Sequence, residues 1–256
     1  MKIIRVLALG WAMHFKMLSR SAFDGVLGVI WPLFFATTAF FMFRSGARPE
    51  TLLYASLGAS VMGIWSATSV AASSALQRER WSGTLELLVG VPTHFALVLL
   101  PITIAMSTIG IYSMTATLFW GRLLFGIHVQ IEHPLLFVLA VPATIVSIGM
   151  LGFLLSVTAV RYRTAWALGN VMEYPVWLVC GFLVPLSLLP HWVRPISWAL
   201  APTWGIRAIR ESALGGTPLP DVGICCALGL GYAVTGVLLV ETVLRSARRT
   251  ASLSLT

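Results

Sequence analysis

Long stretches without a formal charge dominate this sequence. Residues 25–43 and 52–76 contain no Asp, Glu, Lys or Arg, and neither do 87–121 or 135–160. Roughly 20 apolar residues in a helix cross a hydrocarbon core of about 30 Å, so each stretch is long enough to span a membrane. A fifth run, 165–186, is interrupted by Glu173, and a sixth, 222–240, stops before Glu241 and Arg245. The third stretch is longer than a span requires, so its crossing is expected from about residue 95, after a break at Pro92. Backbone polar groups inside a bilayer have to be satisfied within the spanning element, and alternating ten-residue strand patterns are absent. The sequence therefore predicts an all-α integral membrane protein with six transmembrane helices.

Composition excludes the soluble classes, since 58% of the residues are hydrophobic, 10% are charged and mean hydropathy is +0.89. In a soluble chain the net charge of +8 would point to nucleic acid. Here the basic residues flank apolar runs, and anionic lipid headgroups account for them. With a cytoplasmic N-terminus, eleven basic residues fall on inside segments (Lys2, Arg5, Lys16, Arg20, Arg78, Arg80, Arg161, Arg163, Arg245, Arg248, Arg249). Six fall outside (Arg44, Arg48, Arg122, Arg194, Arg207, Arg210), which favours cytoplasmic N and C termini. Fifteen arginines against two lysines fit a GC-rich bacterial source and an inner or plasma membrane location. Cys180, Cys225 and Cys226 lack metal or redox spacing and read as small core residues.

Residues 1–20 lack the continuous apolar core and cleavage site of a signal peptide and read as an interfacial helix. Ile4, Leu7, Ala8, Trp11, Phe15 and Leu18 recur at three- and four-residue steps, with Lys2, Arg5, Lys16 and Arg20 mostly off that stripe. Residues 77–93 are the charged interruption between two apolar runs. Glu79, Arg80 and Glu86 are its polar part, Trp81, Leu85, Leu88 and Val89 its apolar flank. Gly83 is placed as an N-cap with Glu86 three residues on, and Pro92 as the terminator. A short amphipathic helix lying along the membrane fits this pattern as a knob for a groove on a soluble partner. A solvated loop resting an apolar stripe on lipid fits it equally well.

The segment Glu79-Arg80-Trp81-Ser82-Gly83-Thr84-Leu85-Glu86-Leu87-Leu88-Val89-Gly90-Val91-Pro92 resembles the E-R-x-x-G-T-x-E-x-L-x-x-x-P sequence of ABC-2 type permease subunits, which have the type V exporter fold. The resemblance implies that 77–93 is the coupling helix, docking on a separate ATP-hydrolysing subunit through Glu79, Arg80, Trp81, Gly83, Thr84, Glu86 and Pro92. A second, looser match runs from Cys180-Gly181-Phe182-Leu183-Val184-Pro185 through Leu189-Pro190, Trp192 and Arg194-Pro195 to Pro202-Thr203, Arg207 and Glu211. It is similar to the family's region of short re-entrant helices between the fifth and sixth spans. The resemblance makes Pro185, Pro190, Pro202, Arg207 and Glu211 an outer gate within a hairpin at 187–220. Independently, 187–220 is long, rich in Trp and Pro, and too broken to span, and Trp192, Trp198 and Trp204 suit headgroup level. The resemblance covers nearly the whole chain, including Arg161-Tyr162-Arg163-Thr164, and its wording is nearest the drug and antibiotic exporter branch.

An ionisable group inside a span is expensive and marks function by default. Glu173, with Asn170 one turn before it, is the candidate substrate path. It would receive a cationic or polar part of the cargo or pair across a dimer axis; hydrogen bonding to a neighbouring helix is the structural alternative. His128, Glu132 and His133 lack a third well-placed ligand, so no metal is expected. There is no GxxxxGK[ST] sequence, which leaves ATP and Mg to a partner ATPase and no cofactor on this chain. The expected protein is a non-enzymatic permease subunit that pairs with a second permease, homo- or heterodimeric, and moves an amphipathic small molecule outward. An intramembrane enzyme would need acid, base and metal ligands gathered near Glu173, and an ion-coupled secondary transporter would need matching broken helices in both halves; neither pattern is present.

Overall fold

A computed structural model of the chain describes residues 2–20, 22–44, 49–81, 83, 94–127, 130–161 and 165–249. Among these there are nine α-helices and no strand: α1 (Lys2–Arg20), α2 (Ala22–Arg44), α3 (Pro49–Trp81), α4 (Ala96–Phe125), α5 (Pro134–Arg161), α6 (Ala165–Val179), α7 (Arg194–Trp198), α8 (Ala201–Leu214) and α9 (Pro218–Arg249). Two 3-10 turns, Leu186–Leu188 and His191–Val193, lie between α6 and α7.

Among the described residues, three helical segments are long and apolar enough to cross a bilayer, namely Ala96–Phe125, Pro134–Val157 and Pro218–Val240. Two shorter apolar segments, Leu33–Met42 and Leu52–Thr68, lie within α2 and α3. The helix at the centre is α3, which packs on α2, α4, α5, α6 and α8. Ser56, Leu57, Ser60, Val61, Ile64 and Trp65 on it are no more than 2% exposed. Small residues allow this crowding, because helices in lipid associate by close backbone approach rather than by expulsion of water. Gly110 of α4 shows how close: a methyl there would come within 2.8 Å of the Ile64 Cα. At the edge lies α9, with 17% of its most apolar window buried against 56% for α4. Its outward Leu230, Val234 and Leu238 are lipid-facing side chains by composition.

Four boundaries differ from the sequence reading. The fifth run does not stay helical to 186; α6 stops at Val179, and Gly181 follows with φ +73, a left-handed conformation that glycine adopts freely. At 15 residues it is about 22 Å long, short of a full hydrocarbon core. Second, α3 continues past 76 to Trp81, because Gln77-Arg78-Glu79-Arg80 is good helix-forming sequence even where hydropathy ends. Third, 218–220, placed in the 187–220 hairpin, form the first turn of α9, with Asp221 also in that turn at the positive helix end. That helix also continues beyond 240 to Arg249.

The predicted α1 stripe is half used within the chain. Leu7, Trp11 and Phe15 are half-buried, and the α1 helix packs on α4. Trp11 Nε1 donates to Thr108 Oγ1 at 3.1 Å, and Phe15 stacks between Trp11 and Tyr112. Ile4 is exposed, as are Val6, Leu9, Met13 and Met17, so α1 is apolar on a wider arc than the stripe indicated. The Leu18 side chain is outside the described residues.

Candidate functional site

Three places carry the residues the sequence singled out. The first is the end of α3. Glu79, Arg80 and Trp81 form its last turn, at the far end of a 33-residue helix from Tyr54. Their side chains, and all of Thr84, Glu86 and Pro92, lie outside the described residues. Gly83 has φ +69 and nothing within 4 Å of where a Cβ would stand. An N-cap residue adopts extended backbone, whereas a left-handed glycine just past a helix end is a stop. Gly83 therefore ends α3 rather than capping a following helix.

The second is Glu173 on α6. It is half-buried, and its Oε1 accepts a hydrogen bond from the Ser66 hydroxyl of α3. The carboxylate is thus bonded to a neighbouring helix, the structural alternative raised by the sequence, and retains further acceptor capacity. Trp177, one turn on, lies 5.1 Å from the Tyr174 ring and 4.8 Å from Phe35 of α2. The Asn170 side chain is outside the described residues.

The third is the connection from α6 to α9. Pro185 and Pro190, with φ −56 and −54, precede the two 3-10 turns, and Pro202 is buried in the first turn of α8, where a missing N–H costs nothing. Side chains tie this connection down. Ser197 Oγ donates to Val179 O at 2.6 Å; the Tyr232 hydroxyl donates to Ala199 O at 2.5 Å and accepts from Ala201 N at 3.1 Å. Glu132 and His133, whose metal role the sequence already discounted, use their backbone N–H groups on Ala213 O and Ser212 O at the end of α8. Arg207 and Glu211 do come together, at 3.6 Å one turn apart, and Arg207 Nε reaches Asp221 Oδ2 at 3.2 Å without hydrogen-bond alignment. The Arg207 guanidinium also lies 5.2 Å from the Trp204 ring, and Trp204 Nε1 donates to Trp198 O at 2.9 Å.

Sequence reasoning passed over Arg210. It is 6% exposed; Nη1 donates to Gly181 O at 2.8 Å, and Nη2 to Phe182 O and, at 3.3 Å, to Tyr54 O. Its Cζ stands 3.4 Å from the Tyr54 ring centroid. Burial draws the guanidinium down from its ordinary value to about 10, so it remains charged at neutral pH. The signal was present: Ile206, Ile209 and Ala213 define the buried stripe of α8, and Arg210 falls inside it. One cysteine reading is also corrected. Cys180 and Cys225 are buried as expected, but Cys226 is exposed, because neighbouring helix positions point about 100° apart.

An all-helical chain with several membrane-length apolar helices, one central helix ending in a charged turn and a stapled non-spanning connection is a polytopic membrane protein. The chain belongs to the ABC-2 type transporter family, whose profile matches residues 4–214. It is accordingly a membrane transport subunit, and ABC transporter components are its partners as a class. Comparison with curated proteins gives no match.

Proposed function

We propose that this chain is the transmembrane subunit of an ATP-driven exporter. The family match over 4–214, in a sequence without a GxxxxGK[ST] phosphate loop, carries the reading: transport machinery is here and the nucleotide chemistry is on another polypeptide. Six crossings are formed by α2, α3, α4, α5, α6 and α9, with α6 completed by the irregular segment that follows it. Both termini are cytoplasmic, in a bacterial inner or plasma membrane. The segment 77–93, entered through Glu79-Arg80-Trp81 and the stop at Gly83, docks on an ATPase subunit that holds ATP and Mg. Thr84, Glu86 and Pro92 belong to the same docking surface.

A second permease subunit, a copy of this chain or a homologue of it, pairs with this one. The cargo is an amphipathic small molecule of the drug, antibiotic or lipid-like kind, entering from the inner leaflet beside Asn170 and Glu173. The α6–α9 connection, with Pro185, Pro190, Pro202, Arg207 and Glu211, closes the outer side. ATP binding draws the two ATPases together, α3 moves with them, and the helices reorient to release cargo outward. What supports this is the position of the charged turn at the end of the central helix, which packs on five other helices that a push from a soluble partner would reach.

A photo-crosslinking amino acid at position 81, irradiated in native membranes, tests the docking surface. The expected adduct is a P-loop ATPase; adducts with lipid alone would withdraw the coupling role of 77–93. In the assembled complex, Glu86→Ala is expected to leave insertion and ATP hydrolysis in place while export falls, and a variant exporting at the wild-type rate would remove Glu86 from that role.

A further inference from the structure

The three carbonyls that Arg210 engages come from two separate elements. Those of Gly181 and Phe182 belong to the turn just past the end of α6, where carbonyls lose their helical partners. Tyr54 is in the second turn of α3. One turn further along α3, Gly58 leaves the space these groups fill: a methyl on it would strike the Phe182 carbonyl and come within 2.6 Å of Arg210 Nη2. The guanidinium is thus a wedge shaped into α3, the break after α6, and α8, and its positive charge faces the negative end of the α6 dipole. From Tyr54 the same α3 helix runs without interruption to Trp81, 27 residues or about 40 Å away.

The geometry points to Arg210 as a latch, a positioning residue that locks the outer end of α3 to the α6 break and to α8. Displacement of α3 at its Glu79-Arg80-Trp81 end is thereby delivered to the outer connection as movement of one body. A planar guanidinium with two nitrogens aimed at three carbonyls and a face laid on Tyr54 does this; a lysine ammonium, a point donor on a flexible stem, holds only part of it. The direction of the signal rests on the ATPase-coupled reading above, whereas the latch itself stands on the contacts alone.

Native thiols report on it. Cys180 immediately precedes Gly181 and is 1% exposed, Cys225 is also 1% exposed, and Cys226 is exposed. The full chain, with whatever ATPase copurifies, is placed in nanodiscs and treated with N-ethylmaleimide, with and without ATP and vanadate, and each cysteine is quantified by mass spectrometry. In the wild type, Cys180 is expected to be protected without nucleotide and to label faster with it. Arg210→Met is expected to raise nucleotide-free labelling of Cys180 at least about tenfold and to erase the nucleotide response, through local opening at the α6 break. Arg210→Lys should fall between. Gly58→Ala should behave like Arg210→Met, which keeps the test informative if removing the charge prevents insertion.

Cys180 as protected and as nucleotide-responsive in Arg210→Met and Gly58→Ala as in the wild type would overturn the latch. An equal rise at Cys225 would overturn it too, since that is general loosening. If no ATPase copurifies, the coupling reading fails, while the nucleotide-free comparison of Cys180 still decides the latch.

Discussion

Two arginines on one helix, three residues apart, illustrate how position sets the worth of a charge. Arg207 is 44% exposed and pairs with the part-exposed Glu211 and the buried Asp221, so Arg207→Ala, which leaves Asp221 without its cation but free to protonate, is expected to cost about 1–2 kcal/mol in thermal unfolding of the solubilised chain. Arg210→Ala would strand buried carbonyls and should cost about 3 kcal/mol or more in the same assay; equal losses at the two positions would contradict the assignment. Gly83 is a conformational position with open space around it. Gly83→Ala should cost about 1–2 kcal/mol through its left-handed backbone, Gly83→Asn less, and Gly83→Pro should do the most damage because proline cannot reach φ +69. Thermal unfolding of the solubilised chain, measured for the three variants together with retention of the proposed ATPase, checks that order. At Glu173, replacement by Gln keeps an acceptor for Ser66 while removing the charge. Glu173→Gln is expected to preserve thermal stability within about 1 kcal/mol and to lower export; undiminished export would end the substrate role.

Helices that were legible in the sequence are those whose apolar run and helical run coincide. The α4 and α5 helices each carry an uninterrupted apolar window of membrane length, and hydropathy locates them within a few residues; α9 carries such a window too, but its helix runs on past it to Arg249. Where the two runs part, the sequence misleads. Hydropathy marks lipid, not helix, so α3 was closed at 76 although its backbone continues through charged residues to Trp81. In the opposite sense, 165–186 is apolar apart from Asn170 and Glu173, but the left-handed turn at Gly181 ends the helix early and only a conformational signal marks it. Arg210 was missed for a related reason. Reading basic residues for topology treats each as a surface charge and ignores that this one sits in the α8 stripe. The close approach of α3 and α4 gives an element-level prediction: Gly110→Ala should separate the helices and cost about 1–3 kcal/mol in thermal unfolding, since the methyl would meet the Ile64 backbone and side chain at 2.8 Å. A neutral result would place the α3–α4 crossing elsewhere.

As a whole, the molecule is a bundle built around one long helix, with a charged turn at one end of that helix and a stapled, non-spanning connection at the other. Membership of the ABC-2 type transporter family gives this arrangement its purpose. In the proposed reading, a central rod reaching from a docking surface to a closure serves transport driven by a separate ATPase, the sequence containing no GxxxxGK[ST] loop. The partner is therefore the central claim, and the most direct measurement is the mass and composition of the complex that carries the tagged chain out of its native membrane in mild detergent. The account predicts two permease chains with two P-loop ATPase subunits in one particle; a chain that emerges alone, with no ATPase held even after crosslinking, would contradict it.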